Sequence, residues 1–386
     1  MRKGWEYKRF DEVFDLQMGK TPDRKNPEYF GGNNVWISIR DLGDKEITDS
    51  NEHITDLAVS NSNIRKVKRG TVIMSFKLTV GKCGIAATDL YTNEAIMAFN
   101  TKESFDINSS FLYYYLQCYH WVGSNKAVMG TTLNKATISK QYISIPPLST
   151  QLAIVSELDK INELIRLKKE QLKDFDNLAQ SLFYEMFGDP VENEKGWEVK
   201  KLGEIGEVKT GNTPSRSNDN FYNEKFIEWI KTDNIRNEQM NPTTAAEYLS
   251  RDGAECGRIV SKGSILVACI AGSLSSIGKC CITTKNVAFN QQINAITPYG
   301  DFCNSIYLYE LIRNSYKYIQ QNATTGMKHI LSKSIFEKMK IPLPPLSLQR
   351  LFAQRIEQIE REKSEIQKSI QDLETLLASR MQYWFE

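Results

Sequence analysis

Three histidines, seven cysteines and no long apolar run narrow the chemistry open to this chain of 386 residues before any motif is considered. His53, His120 and His329 lie far apart, and none has zinc-type spacing with another or with a cysteine, so no metal site is expected. The cysteines are odd in number and scattered, with Cys280-Cys281 the one close pair. That favours reduced thiols packed as small hydrophobes over a disulfide framework. No apolar stretch approaches the roughly 18 residues of a membrane span. None follows Met1-Arg2-Lys3-Gly4-Trp5-Glu6 either, so no secretory signal is expected and a cytoplasmic protein is.

Catalytic constellations are equally scarce. There is no Gly-x-x-x-x-Gly-Lys-Ser/Thr loop, which argues against ATP hydrolysis by this chain. Asn26-Pro27-Glu28-Tyr29 has an outward likeness to the Asn-Pro-Pro-Tyr loop of amino-methyltransferases. It lacks a Gly-rich cofactor loop after a strand and sits just before Gly31-Gly32, so it reads as a surface turn. Asp189-Pro190 with Glu192 and Lys195 follows a helix stop, which fits a polar linker better than a nuclease centre. Tyr113-Tyr114-Tyr115 with Trp121 has helical spacing and reads as core packing, with base stacking as the alternative. The alternating charges from Glu360 to Lys368 read as a solvated helix face.

What is present is ordinary in bulk: 41% hydrophobic and 25% charged residues, with a net charge of +2. Its distribution is more informative. Residues 1–147 carry 19 Lys/Arg against 16 Asp/Glu, and residues 191–345 carry the same 19 against 16. Residues 148–190 carry 5 against 8, and residues 346–386 carry 6 against 7. Two mildly basic units thus alternate with two mildly acidic stretches, a pattern compatible with nucleic-acid binding and not diagnostic of it.

The dominant signal is an internal repeat. Gly4-Trp5-Glu6-Tyr7-Lys8 returns as Gly196-Trp197-Glu198-Val199-Lys200, and Gly19-Lys20-Thr21-Pro22 returns as Gly211-Asn212-Thr213-Pro214. Trp36-Ile37 returns as Trp229-Ile230, Gly70 as Gly263, Gly81-Lys82-Cys83 as Gly278-Lys279-Cys280, and Thr131-Thr132 as Thr324-Thr325. Ile145-Pro146-Pro147-Leu148-Ser149-Thr150-Gln151 returns as Leu343-Pro344-Pro345-Leu346-Ser347-Leu348-Gln349. The order is kept, and the period is far too long for a solenoid, so the chain holds two copies of one module. One asymmetry stands out: five more residues separate Leu331 from Pro344 than separate Ile138 from Pro146.

Each copy combines short β-type runs, such as Val35–Ile39 and Ser264–Ile270, with a later helical stretch near Phe111–Cys118 and Ile306–Ile319. Each is expected to be an α+β unit on an irregular sheet. A long helix follows each Pro-Pro pair. Leu158, Ile161, Ile165, Leu172, Phe175, Ala179, Leu182 and Met186 fall on heptad positions of the first; Ile356, Ile359, Ile366, Ile370, Leu373, Leu377 and Trp384 do so in the second. Lys168 and Lys363 interrupt the two seams. If the helices pair, the second runs back along the first, giving an antiparallel coiled coil with pseudo-twofold symmetry. The alternative is two independent helices, each capping its own module. The expected division is 1–147 and 191–345 for the modules, 148–190 and 346–386 for the helices.

This layout, with the Gly-Trp-Glu opening, the Gly-x-Thr-Pro turn, the Pro-Pro-Leu-x-x-Gln lead-in and Glu185-Met186-Phe187-Gly188-Asp189-Pro190, resembles the specificity subunits of type I restriction-modification systems. The resemblance covers essentially the whole chain. It implies two target recognition domains, each reading one half of a bipartite DNA site, and a chain that is not itself an enzyme. It also implies double-stranded DNA and two modification (methyltransferase) subunits as partners, with restriction/translocase subunits where a system has them. S-adenosylmethionine, ATP and Mg2+ would belong to those partners, with no cofactor in this chain. Readings from other classes are a fused methylase or nuclease and a scaffold that binds protein alone.

Arg, Lys, Asn, Gln, Ser and Thr on loops are the side chains able to pair with base edges. In the first module these are Lys20, Thr21, Arg24, Lys25, Ser38 and Arg40, with Lys77, Lys82, Thr132, Asn134 and Lys135. In the second the matched choices are Asn212, Thr213, Arg216, Lys231, Asp233 and Asn234, with Lys279, Thr325, Lys328 and His329. The Thr-Pro turns also read as plain turn formers. Unlike side chains at matched positions predict two unlike half-sites.

Overall fold

The computed structural model describes residues 2, 4–122, 125–127, 130–236, 239–324 and 326–386; side chains of 125–127 and 130–132 lie outside that description. The chain forms two compact units, Met1–Lys168 with Ser369–Glu386 and Lys169–Lys368. Each unit is α+β, and each long helix contributes to both.

In the first unit a five-stranded sheet has the order Phe14–Met18, Ile96–Thr101, Val72–Ser75, Cys83–Ala86, Glu46–Ile47. Its central strands are apolar on both faces because both are covered. Val72, Met74, Met97 and Phe99 face one core with the helix Ser109–Cys118, whereas Ile73, Ile96 and Ala98 face another. A second, three-stranded sheet pairs Phe30–Ile37 with His53–Ile54 and, in parallel, with Tyr91–Thr92. Glu6–Arg9 pairs with Tyr142–Ile145, tying the start of the module to its end.

The second unit repeats this plan. Gly206–Thr210, Ile293–Pro298, Ile265–Ala268 and Cys280–Ile282 form one sheet in that order, and Ile227–Ile230 runs parallel to Val287–Phe289 in another. Glu198–Lys201 pairs with Lys340–Leu343. Cys280 and Cys281 point to opposite cores of the unit, as strand alternation requires, and both thiols are free. The expected run Ser264–Ile270 is broken at Cys269, and the late helix divides at Ser315 into Ser305–Asn314 and Tyr316–Gln321.

The aromatic run Tyr113–Tyr115 is core, as read: Tyr114 and Tyr115 are buried, and Trp121 packs 5.6 Å from Phe10. Asp189 is a turn former, its carboxylate accepting from Val191 N at 2.7 Å and Glu192 N at 3.1 Å. Among the described residues no helix is long and apolar enough to cross a membrane.

The two long helices, Leu148–Phe187 and Leu346–Phe385, each have 40 residues. The Pro-Pro-Leu-x-x-Gln lead-in has a physical purpose. Gln151 and Gln349 are almost fully buried. Gln151 accepts from Asn108 N at 2.8 Å and donates to Asp106 O and Pro146 O; Gln349 accepts from Asn304 N at 2.9 Å and donates to Phe302 O and Pro344 O. The amide therefore satisfies one proline carbonyl at the Pro-Pro break and two backbone groups of the loop that precedes the module's late helix. Because Asn108 and Asn304 cap the next helix of their modules, one side chain locks three chain segments.

The helices pair antiparallel. In the second unit Asp176 meets Lys363 at 3.0 Å and Phe183 meets Phe352 at 5.8 Å; in the first Glu157 meets Arg380 and Trp384. Lys363 is thus answered in the seam by Asp176 and by Glu360. The heptad reading needs one correction. Toward the end of the first helix the buried positions are Ala179, Phe183 and Phe187, spaced by four, and Leu182 and Met186 are only partly buried. The helix there packs on the second module as well as on its partner, and a module surface does not hold it to a 3.5-residue period. The apparent five-residue insertion also disappears. Leu133 N bonds to Phe76 O and Leu331 N to Cys269 O, each at 2.8 Å, so Leu331 corresponds to Leu133 rather than to Ile138. From there to the proline pair the modules have equal length.

Candidate nucleic-acid interface

Sheet topology gathers the candidate residues at one edge of each module. In the first, Met18 lies opposite Met97, Ser75 opposite Ile96 and Cys83 opposite Met74. The strand ends coincide, so the turns leaving them are neighbours. Gly19 N bonds to Ile96 O at 3.2 Å, Lys20 N to Thr92 O at 2.8 Å and Phe76 N to Ala95 O at 3.0 Å. Asn93 N to Ile37 O, 2.9 Å, brings in Ser38 and Arg40; Leu133 N to Phe76 O brings in Asn134 and Lys135. Lys20, Thr21, Ser38, Arg40, Lys77, Lys82, Asn134 and Lys135 therefore belong to one edge.

The second module builds the same edge. Thr210 lies opposite Asn294, Ala268 opposite Ile293 and Val267 opposite Cys280. Gly211 N bonds to Ile293 O at 3.0 Å, Asn212 N to Phe289 O at 3.1 Å and Asn290 N to Ile230 O at 3.0 Å. The strand His329–Ile330 joins through Ile270–Ala271. Asn212, Thr213, Lys231, Asp233, Asn234, Lys279, Lys328 and His329 are so assembled. Thr325 lies outside the described residues, and of Thr132 only the backbone, in the short strand Gly130–Thr132, is described.

The glycine of each Gly-x-Thr-Pro turn is required by proximity. A Cβ at Gly19 would lie 2.2 Å from Thr92 O, and one at Gly211 would lie 2.1 Å from Asn290 O. The carbonyl of the next residue accepts from the tryptophan indole: Trp36 Nε1 to Lys20 O at 3.2 Å, Trp229 Nε1 to Asn212 O at 3.3 Å. The threonine is tethered across the edge, Thr21 to Glu94 and Thr213 to Gln291.

Arg24 and Arg216 stand over those tryptophans. Arg24 lies 5.1 Å from the Trp36 ring centre and 4.9 Å from Phe30; Arg216 lies 4.7 Å from Trp229 and 4.6 Å from Tyr222. Glu52 grips Arg24 with two bonds of 2.6 and 2.9 Å. Glu247 holds Arg216 at 2.6 Å and also holds Lys231, which lies 5.0 Å from the Trp229 centre. The Arg24 guanidinium lowers the Glu52 pKa below the usual range; Lys231 first, with Arg216, does the same for Glu247 against the cost of burial.

Other candidates are held by the fold. Asn234 is buried, with its Oδ1 accepting from Lys231 N at 3.0 Å and its Nδ2 donating to Thr243 and Thr244. It is a structural cap and is not placed to read a base. The Asn212 amide spans Cys256 O and Arg258 N, and Asn134 caps the helix Lys135–Ser139. Lys20, Lys25, Arg40, Lys82, Lys135, Asp233 and Lys328 are exposed. Sequence reasoning missed Glu52, Glu247 and the turn residues Asn93 and Asn290, whose side chains bond Ala95 N and Gln292 N. Asn93-Glu94 and Asn290-Gln291 do recur in repeat order and were detectable; Glu52 and Glu247 are out of register by two residues with the flanking matches.

Two α+β modules, each with one polar edge that gathers several basic side chains, and two long helices that contribute to both define a duplicated protein. The model of the type I restriction modification DNA specificity domain matches residues 2–174 and again 194–375, and the chain belongs to that family. Similar proteins include a type I restriction enzyme MjaIX specificity subunit from Methanocaldococcus jannaschii, 30% identical over 55% of this chain and 54% of that one. Another is the HindI specificity subunit from Haemophilus influenzae, 32% identical over 42% of this chain and 35% of that one. The chain thus spans between a third and little over half the length of these curated relatives. Among solved structures, a chain of a type I R-M system studied for complex assembly and conformational transition superposes with a TM-score of 0.66 at 18% identity, covering 100% of this chain and 98% of that one. The type I restriction-modification S subunit from M. genitalium gives 0.55 at 13% identity, over 98% and 95%. These two likenesses establish the fold.

Proposed function

We propose that the chain is the non-catalytic DNA-reading subunit of a type I restriction-modification complex, each module reading one half of a bipartite site. The observation that carries this is the duplicated edge: the same turns converge in both modules, but with unlike ends, the exposed Arg40 against the exposed Asp233, and the exposed Lys20 against Asn212, whose amide is tied into its module. Equal scaffolds with different polar ends are suited to two different base sequences. The long helices set the spacing of the halves, and joining two readers raises affinity through effective concentration. Modification subunits dock on the helices, which expose Leu164, Leu167, Leu178, Leu351 and Leu376. Those partners supply S-adenosylmethionine-dependent methylation, and restriction subunits, where present, use ATP and Mg2+.

The test is co-expression with the neighbouring modification gene and mapping of methylated bases by single-molecule sequencing. A split motif lost on deletion of this chain supports the proposal. Methylation that persists without the chain, or active partners that yield no split motif, refutes it.

A further inference from the structure

Both modules contain one device that the repeat alignment does not predict. A tryptophan bonds the Gly-x-Thr-Pro turn, an arginine stands over that tryptophan and a second aromatic ring, and a glutamate pins the arginine. The glutamates occupy one place, each just before the short strand that pairs with the tryptophan's strand, although the loops leading to them differ in length by two residues. A carboxylate kept at that place while the loop leading to it changes length points to a requirement for the carboxylate there.

An unpaired arginine at a DNA-facing edge binds phosphate, and phosphate contacts add affinity without sequence information. A carboxylate on that arginine cancels its charge and keeps it stacked, so the turn beside it meets base edges without a competing backbone grip. We propose that Glu52 and Glu247 are specificity-determining positioning residues, which hold Arg24 and Arg216 over Trp36 and Trp229 and away from the DNA backbone. This inference rests on the DNA-reading function proposed above. The two modules differ in degree: Glu52 grips one cation, whereas Glu247 grips Arg216 and Lys231.

That difference makes the test quantitative. Glu52→Gln and Glu247→Gln are made in the full-length chain assembled with its modification subunits. Binding is measured by fluorescence anisotropy across a salt series to four duplexes: the intact site, each half scrambled, and both scrambled. Each freed cation steepens the salt dependence of log K by about 0.9. Glu52→Gln should therefore steepen the fully scrambled duplex's slope by about 1 and Glu247→Gln by about 2. Discrimination should fall roughly tenfold, for the first module's half alone with Glu52→Gln and for the second's alone with Glu247→Gln. The double variant Glu247→Gln/Arg216→Met frees Lys231 alone and should steepen that slope by about 1 instead of about 2. Weaker binding to scrambled and intact DNA alike would mean that the glutamate only supports the fold, and would overturn the proposal. So would unchanged slopes with unchanged discrimination. A wild-type complex with no preference for either half would refute DNA reading itself, which separates that failure from failure of the glutamate brace.

Discussion

Replacing Gly211 by alanine tests whether the Gly-x-Thr-Pro turn is a precision part. The added Cβ would lie 2.1 Å from Asn290 O and 2.4 Å from Phe289 O, where real contacts stay beyond 3.0 Å. The turn must retreat by about 1 Å. Three hydrogen bonds depend on its place: Gly211 N to Ile293 O, Asn212 N to Phe289 O, and Trp229 Nε1 to Asn212 O at 3.3 Å. At about 1 kcal/mol each, their weakening destabilises the module by roughly 2–3 kcal/mol. The function should suffer more than the fold, because Trp229 carries Arg216 and Lys231. Chemical denaturation followed by circular dichroism gives the stability. Gly272→Ala is the control, since its Cβ meets nothing within 4 Å. If Gly211→Ala is as stable as Gly272→Ala and discriminates the second half-site normally, the close-approach reasoning is wrong. Gly19→Ala is its twin for the first half-site.

Further expectations concern the helices and their supports. Phe183 is fully buried among Phe187, Tyr307 and Phe352, so Phe183→Ala should cost about 3–5 kcal/mol; a loss under about 1 kcal/mol would show that the helix end is not integral to the second module. Gln349→Leu strands Asn304 N, Phe302 O and Pro344 O and should cost about 2–4 kcal/mol by thermal unfolding, whereas an unchanged Tm would deny the lock its importance. Glu310 is buried, and burial raises its carboxyl pKa despite the opposing Arg313. The folded state therefore binds that proton more tightly than the unfolded chain, and stability is lost as pH rises from the unfolded value through the raised one. Glu310→Gln should gain on the wild type as pH rises through that window; a stability difference that is flat with pH would contradict this.

Much of the architecture was legible in one dimension. The Gly-Trp-Glu, Gly-x-Thr-Pro and Pro-Pro-Leu-x-x-Gln motifs recur in order, and each proves to be a local device: a turn, a close approach, a glutamine lock. The helices were legible because heptad spacing repeats many times over. Where the spacing broke down, at Phe183 and Phe187, the reason was tertiary: the helix face there is chosen by the module it covers. The false asymmetry near Leu331 arose because short apolar runs align equally well in several registers, and a strand-end hydrogen bond settles which one is right.

At the interface the division is sharper. Sequence alone determined that the polar candidates come in two matched sets, because they flank motifs that repeat. Only the tertiary structure decided that Asn234 is a buried cap, that Arg24 and Arg216 are stacked and paired, and that Glu52 and Glu247 do the pairing. Local pattern determines strands, turns and helices, since those depend on neighbours along the chain. The partner of a charge depends on which loops a sheet edge brings together, and loops of unequal length leave no periodic trace of where they meet.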